Sequence, residues 1–427
     1  MSFASLGLSE PLLRAIAEQE YRAPTPVQSA AIPAVLNGRA VLACAQTGSG
    51  KTAAFALPLL QRLVDHRAKA AATRDPWQKA RTANATRALI LVPTRELATQ
   101  IATACETYAR HLSSIKIVSV FGGVSINPQM MALRGGADIV VATPGRLLDL
   151  IEQNALRLGT VSTLVLDEAD KLLELGFEAE LSRIRDLLPP QRQSLLFSAT
   201  FPAAVQLLAE QWLHDPVRID VPATDATVPD IEQRAIEVDG PRRTQLLRHL
   251  IETLGWTRTL VFVATKHSTE HVAEKLRRAG INAAPFHGEL SQGHRSHVLA
   301  DFKASRLQVV VATDLAARGI DIVQLPVIVN YDLPRSADDY VHRIGRTGRA
   351  GEHGLAVSFV SAESEAHFRL IEKRQGLCVP RERISGFEPT NTTPPADAPA
   401  KSTGGIKGKR KSKKDKLREA AAKRPQD

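Results

Sequence analysis

The sequence predicts an α/β protein built of two tandem parallel sheets, each flanked by helices, with a basic C-terminal tail that has no core of its own. Three observations predict it. Short β-branched or apolar runs alternate with helical patterns along most of the chain, as βαβ units and parallel sheets require. The alternation lapses at 220–229, DVPATDATVP, where two prolines and lost periodicity read as a linker. After about Phe387 the chain turns to Pro/Thr/Gly-rich sequence and then to a lysine-rich run. Such a composition cannot bury a core, so disorder is expected there.

The elements follow in order. Strand-like runs in the first half are 40–44, 88–92, 116–120, 138–142, 163–166 and 194–197. In the second half they are 258–263, 307–312, 326–331 and 355–360. Residues 65–86, rich in Ala, Lys and Arg and carrying Trp77, read as an inserted surface loop or extra helix. The expected division is 1–220, 221–229 as linker, 230–387, and 388–427 as tail.

Composition narrows the class. With 427 residues, 44% hydrophobic and 23% charged, the chain fits a soluble globular protein able to bury sizeable cores. No apolar run approaches membrane-spanning length. The first positive charge is Arg14, and Glu10, Glu18 and Glu20 argue against a transit peptide, so a cytoplasmic location is expected. Cys44, Cys105 and Cys378 are far apart and show no CxxC spacing; they read as reduced, partly buried thiols. His267 and His271, and the looser group His287, His294 and His297, lack the Cys or carboxylate partners of a zinc site. The net charge is +10, and residues 391–427 carry eleven Lys/Arg against four Asp/Glu. An excess of +7 in that segment points to an anionic polymer as partner or to a solubilising tail.

The sharpest local signal is AQTGSGKT at 45–52, between a strand-like run and a helical one. It is a phosphate-binding loop in its required context. Gln46, Thr47, Gly48, Ser49 and Gly50 would wrap phosphates with backbone N–H groups, helped by the helix N-terminus. Lys51 would reach the β- and γ-phosphates and Thr52 would offer a hydroxyl to Mg²⁺. The first position of the general pattern is Gly, and here it is Ala45. Downstream, the apolar run 163–166 ends in Asp167, Glu168, Ala169 and Asp170. Asp167 would hold Mg²⁺ through water, and Glu168 would orient or deprotonate an attacking water.

With these motifs in order, the chain resembles the DEAD-box ATP-dependent RNA helicases of superfamily 2. Matching motifs run from Phe3 to Arg349, and the opening 2–28 is closest in texture to the bacterial RhlE-type branch. The resemblance implies two tandem RecA-like domains, ATP and Mg²⁺ as cofactors, and RNA as partner. Ribosomal or RNA-decay partners are implied for the basic tail. Segment 1–29 is similar to the family's Q motif: Gln28 would read the adenine edge, Tyr21 would stack on the base, and Phe3 is the upstream aromatic. Where the family usually has Gly, this chain has Glu20. Ser198 and Thr200 look like the motif whose hydroxyls bond the DEAD carboxylates. His342 would couple to that segment, and Arg346 and Arg349 resemble arginine fingers. Asp314 would touch the ribose.

For RNA the resemblance implies Thr94, Arg95, Gly122, Gly123, Thr143, Pro144, Gly145 and Arg146 in the first lobe. In the second it implies Thr265, Gln292, Arg295 and Thr313. Small hydroxyls, backbone N–H groups and guanidiniums suit phosphate oxygens, so binding should ignore base sequence and use phosphates and 2′-hydroxyls. Singly, several of these residues would serve as helix caps. A DNA-translocating helicase on the same plan and a non-catalytic RNA chaperone are the alternatives. The Gln28 motif disfavours the first, and intact Lys51, Asp167, Glu168, Arg346 and Arg349 disfavour the second.

Overall fold

The computed structural model describes residues 2–45, 48–72, 86–113, 115–221, 230–317, 325–348 and 353–390, with 69–72 as backbone only. It contains two seven-stranded sheets in which every paired strand is parallel. In the first lobe the strands are β1 (Val41–Cys44), β2 (Thr86–Leu91), β3 (Ile117–Val120), β4 (Ala137–Ala142), β5 (Thr163–Leu166), β6 (Gln193–Ser198) and β7 (Val217–Asp220). They lie in the order β3-β4-β2-β5-β6-β1-β7. In the second lobe they are β8 (Ile231–Glu237), β9 (Thr259–Phe262), β10 (Ala283–Phe286), β11 (Val309–Ala312), β12 (Val327–Asn330), β13 (Gly354–Val360) and β14 (Arg381–Glu382). Their order is β10-β11-β9-β12-β13-β8-β14.

Helices cover both faces. The first lobe has α1 (Glu10–Glu18), α2 (Pro26–Leu36), α3 (Lys51–Ala72), α4 (Arg95–Ala109), α5 (Asn127–Leu133), α6 (Pro144–Glu152), α7 (Ala169–Glu174), α8 (Glu178–Leu187) and α9 (Ala203–Trp212). The second has α10 (Arg243–Leu254), α11 (Lys266–Arg278), α12 (Gln292–Lys303), α13 (Asp314–Ala317), α14 (Ala337–Ile344) and α15 (Glu365–Gln375). No helix among the described residues is long and apolar enough to cross a membrane.

Successive side chains of a strand point to opposite faces, and the first sheet uses this. Val41, Ala43, Ile90, Val165 and Phe197 enter one core with α1 to α4. Leu42, Leu89, Leu91, Leu164 and Leu196 enter the other with α6 to α9. Strands buried on both faces read as unbroken apolar runs, which is why their sequences stood out. The strands the sequence hid are β7, β8, β10 and β14. Strand β8 is IEQRAIE, with four polar residues, while β7, β10 and β14 are short edge strands. Pro285 is tolerated in β10 because that strand lies at the sheet edge.

Two sequence expectations change here. Of the two readings of the insertion, loop or extra helix, residues 65–72 are helical, but they extend α3, which runs unbroken from Lys51 to Ala72, and form no separate helix. Alanine-rich sequence favours this. The rest of the insertion (73–85), most of the linker (222–229) and the tail from 391 lie outside the described residues. Of the three free cysteines, Cys105 is buried and Cys44 half-buried, but Cys378 is exposed.

Candidate active site

Sheet order gathers the first-lobe motifs. Strand β6 lies between β5 and β1, so the carboxyl ends carrying Asp167, Ser198 and the 45–52 loop are neighbours. Ligands of open α/β sheets bind outside these ends. Lys51 opens α3; only 7% exposed, it donates from Nζ to the Ala45 carbonyl at 2.8 Å. Gly48 and Gly50 have φ of 85° and 89°, left-handed values that glycine adopts freely. Gly50 is also pressed on by Gln28, whose Nε2 would lie 2.3 Å from an added Cβ. Gln46 and Thr47 lie outside the described residues.

Gln28 makes two hydrogen bonds within the first lobe. Its Oε1 accepts from the Thr25 N–H at 3.0 Å, and its Nε2 donates to the Gly50 carbonyl at 3.1 Å. The side chain thereby caps α2 and fixes the phosphate loop. The exposed aromatic is Tyr21, stacked against buried Phe3 with ring centroids 6.4 Å apart.

Asp167 and Glu168 follow β5, the first buried and the second half-buried. Burial pushes Asp167 up to about 7, against the pull of Lys51 and with a further push from Glu168. Glu168 is raised by burial as well, while Lys51 and Arg346 draw it down. Its φ of 51° places a non-glycine residue in left-handed conformation, a local strain typical of functional turns.

The Ser198 and Thr200 hydroxyls were expected on the DEAD carboxylates. Thr200 does this, donating from Oγ1 to Asp170 at 2.9 Å and from its N–H at 3.1 Å. Ser198 does not: its hydroxyl donates to the Thr200 carbonyl and accepts the Asp170 N–H. Asp170, the last of the DEAD carboxylates, is thus the centre of the junction.

The second lobe completes the cavity. An open cleft of about 700 Å³ is lined by Tyr21, Gly48, Gly50, Lys51, Thr52, Asp167 and Glu168 from the first lobe and by Gln292 and Arg346 from the second. The Arg346 loop is firmly held. The Arg346 carbonyl accepts from the Leu325 N–H at 3.1 Å, the Thr347 hydroxyl donates to the Leu325 carbonyl, and a Cβ on Gly348 would meet Ile231 at 2.6 Å. Burial lowers the pKa of His342, and Lys171 and Asp170 act on it with opposite signs. The imidazole thus lies within electrostatic reach of Asp170. Arg349 lies outside the described residues.

A second face forms at the ends of β2, β3 and β4, which are adjacent. Thr94 caps α4 by accepting the Leu97 N–H at 3.3 Å. The Arg95 guanidinium lies so close over Gly123 (φ 77°) that a Cβ there would sit 2.2 Å from Nη1. Arg146, 9% exposed, donates to the Val124 carbonyl at 2.8 Å and leaves Nη1 buried without a hydrogen-bond partner. Thr143 and Pro144 are buried at the start of α6, while Gly122 and Gly145 face open space. In the second lobe Thr265 caps α11, accepting from the Ser268 N–H at 3.1 Å. Thr313 accepts the Ala316 N–H at 3.4 Å.

Three second-lobe residues stand elsewhere than expected. Arg295 is 2% exposed. It bonds the first-lobe Glu96 at 2.7 Å and the His287 carbonyl at 2.9 Å, and its guanidinium lies 4.3 Å from the Phe286 ring centroid. A guanidinium so enclosed offers no open face to a phosphate. Gln292 lines the cleft with Lys51 rather than the face beyond β2 to β4. Asp314 is held by both oxygens against Arg343 at 2.6 and 2.7 Å, so its carboxylate is occupied in this conformation. Arg343 itself is 3% exposed and also reaches Asn330 and the Asp332 carbonyl. Among the described residues no cluster of three or more His, Cys, Asp or Glu forms a metal site.

Comparison with known proteins places the chain in a family. Residues 25–208 match the DEAD/DEAH box helicase model, and 242–351 match the helicase conserved C-terminal domain. The ATP-dependent RNA helicase DeaD of Escherichia coli K12 is 41% identical over 387 residues, 91% of this chain and 59% of the relative. The protein of that name from Mycobacterium tuberculosis H37Rv is 39% identical, covering 92% of this chain and 66% of the relative. A structure of Saccharomyces cerevisiae Dbp5 bound to RNA and ADP BeF3 aligns with a TM-score of 0.76 and 30% identity, over 91% of this chain and 96% of that one. The chain belongs to the DEAD-box helicase family. It spans about three fifths of the length of the curated relatives it matches first, and its two sheets are the tandem RecA-like domains of this family.

Within this family member, sequence reasoning missed the roles of Glu96 and Arg343. Arg343 lay in plain view in a motif read for its other arginines. Glu96 stood in a stretch read for RNA contacts, and its partner, 199 residues away, left no local sign.

Proposed function

We propose that this chain is an ATP-dependent RNA helicase. It would hydrolyse ATP in response to RNA, close its lobes on both, and grip one strand by its backbone without regard to sequence. Local duplex separation or remodelling of RNA–protein complexes follows from that grip. The observation that carries the proposal is Arg346 of the second lobe, which opens into the same cleft as Lys51, Asp167 and Glu168. A charge-stabilising guanidinium supplied across a cleft makes hydrolysis depend on closure. The names of the DeaD relatives and the RNA and ADP BeF3 in the Dbp5 structure support it.

In this reading the N–H groups at 48–51 cradle the phosphates and Lys51 neutralises the terminal pair. Glu168 orients the attacking water and accepts its proton. Arg346, with Arg349 beside it in sequence, offsets charge building on the transferring phosphoryl group. The hard oxygens of Thr52 and Asp167, the latter buried and underpaired, fit Mg²⁺, which when bound would neutralise charge between the β- and γ-phosphates. Thr94, Arg95, Gly122, Gly123, Thr143, Pro144, Gly145 and Arg146 form the first-lobe RNA face, continued by Thr265 and Thr313. Arg295 instead ties the lobes, and Gln292 faces the nucleotide. The domain limits stated above, the cytoplasmic setting, the RhlE-type branch and RNA-decay or ribosomal partners for the basic tail belong to the same proposal.

The test is phosphate release with no polymer, RNA, or DNA of equal length. RNA should stimulate strongly and DNA weakly. Arg346→Ala should cut the RNA-stimulated rate by about 10³-fold or more. Equal stimulation by DNA would favour the translocase alternative, and a fully active Arg346→Ala would remove the second lobe from the chemistry.

A further inference from the structure

The cleft runs on past the phosphate loop to a pair of tyrosines. Tyr21 is 41% exposed, and it lies on the loop between α1 and α2. Two contacts fix its ring. Phe3 lies behind it, nearly parallel at an interplanar angle of 28°. At the rim, the Tyr21 hydroxyl meets the Tyr108 hydroxyl at 3.1 Å, with the rings edge-on and 6.4 Å apart. Tyr108 is only 4% exposed and sits in the last turn of α4. Burial, and then the bond to Tyr21, push its phenol far up, so it stays neutral at every working pH.

The physics of stacking gives this bond a purpose. A ring contributes most to binding when its plane is fixed before the ligand arrives, because ordering it afterwards costs affinity. Phe3 restrains the tilt of the Tyr21 ring, but sliding along Phe3 would remain. The hydroxyl pair stops that sliding. We infer that Tyr108 is a positioning residue for the base end of the nucleotide site, holding Tyr21 through its hydroxyl in the attitude that stacks a purine. The inference rests on the ATP reading above. It assigns a role to a buried polar group outside every motif that the sequence displayed.

The test uses the full chain and equilibrium binding of ATP with Mg²⁺, beside inorganic tripolyphosphate, which has no base. Four proteins are compared: wild type, Tyr108→Phe, Tyr21→Phe and the double variant. Phenylalanine keeps the buried ring, so folding should be retained, as thermal unfolding would check. Tyr108→Phe should weaken ATP about 2- to 10-fold, the loss expected of one hydrogen bond. Tripolyphosphate affinity and kcat at saturating ATP should stay within about twofold. In the Tyr21→Phe background, where no hydroxyl remains to be held, Tyr108→Phe should add nothing. Unchanged ATP affinity, an equal loss for tripolyphosphate, or the same loss in both backgrounds would each overturn the inference, the last pointing to packing alone. A wild type that fails to bind ATP would overturn the nucleotide reading itself, and this inference with it.

Discussion

Asp167 holds a carboxylate where water scarcely reaches, and burial pushes its pKa up to about 7. In the unfolded chain such a group ionises near pH 4. Below about pH 4 both states are protonated and the residue costs nothing. As pH rises from there toward 7 the unfolded chain loses its proton more readily than the folded one, so stability falls, and above 7 the penalty is constant. Asp167→Asn should therefore raise Tm at pH 8 by a few degrees, roughly 1 kcal/mol or more for lobes of this size, with the gain shrinking as pH approaches 4. Calorimetry of the nucleotide-free protein checks this, and a variant that melts lower at pH 8 would contradict it. The same scale shows what was legible. Lys51, Thr52, Asp167 and Glu168 were readable because loop, strand and carboxylates are contiguous in sequence. Arg295 and Asp314 were not, because Glu96 and Arg343 lie 199 and 29 residues away and no local pattern names them.

At the scale of elements, short connections decide where aromatic and basic groups point. The turn after α1 places Glu20 at φ 57°. That conformation costs a side-chain-bearing residue about 1 kcal/mol or more. Glu20→Gly should stabilise the protein by about 1 kcal/mol without altering ATP affinity, measurable by urea unfolding; a destabilised variant would mean that the Glu20 side chain earns its place. Helix α4 shows a longer reach. Its first turn carries Glu96, bonded to the other lobe, and its last carries Tyr108 under Tyr21. At 1.5 Å per residue its 15 residues span about 22 Å. Apolar strands such as β4 and β11 announced themselves in sequence, whereas β8 and β14 did not. Strand identity there comes from pairing with β13 and with each other, which no run of polar residues reveals.

For the molecule as a whole, the Glu96–Arg295 pair is the closest described tie between the lobes. Both side chains are nearly inaccessible, 8% and 3%, and breaking such a pair by removing one partner costs about 3–5 kcal/mol because the other charge is stranded. Glu96→Ala should favour separated lobes. If, as proposed, ATP and RNA binding are linked through closure, the apparent affinities for both should weaken together in RNA-stimulated phosphate release. Loss of only one affinity would show that the pair does not govern closure. The two-lobe plan was legible because the linker and the doubled strand–helix alternation are compositional. How the lobes meet was not, since it depends on surfaces brought together only after each sheet has formed.

The pinning of the Arg346 loop has one more outcome. With its carbonyl tied to Leu325 and no room for a side chain at Gly348, the backbone that carries the guanidinium has little freedom to shift by itself. On the proposed reading that backbone moves with the second lobe, and delivery of the guanidinium follows the approach of one lobe to the other. A substitution that loosened the Leu325 contact would then slow phosphate release while leaving Lys51, Asp167 and Glu168 in place.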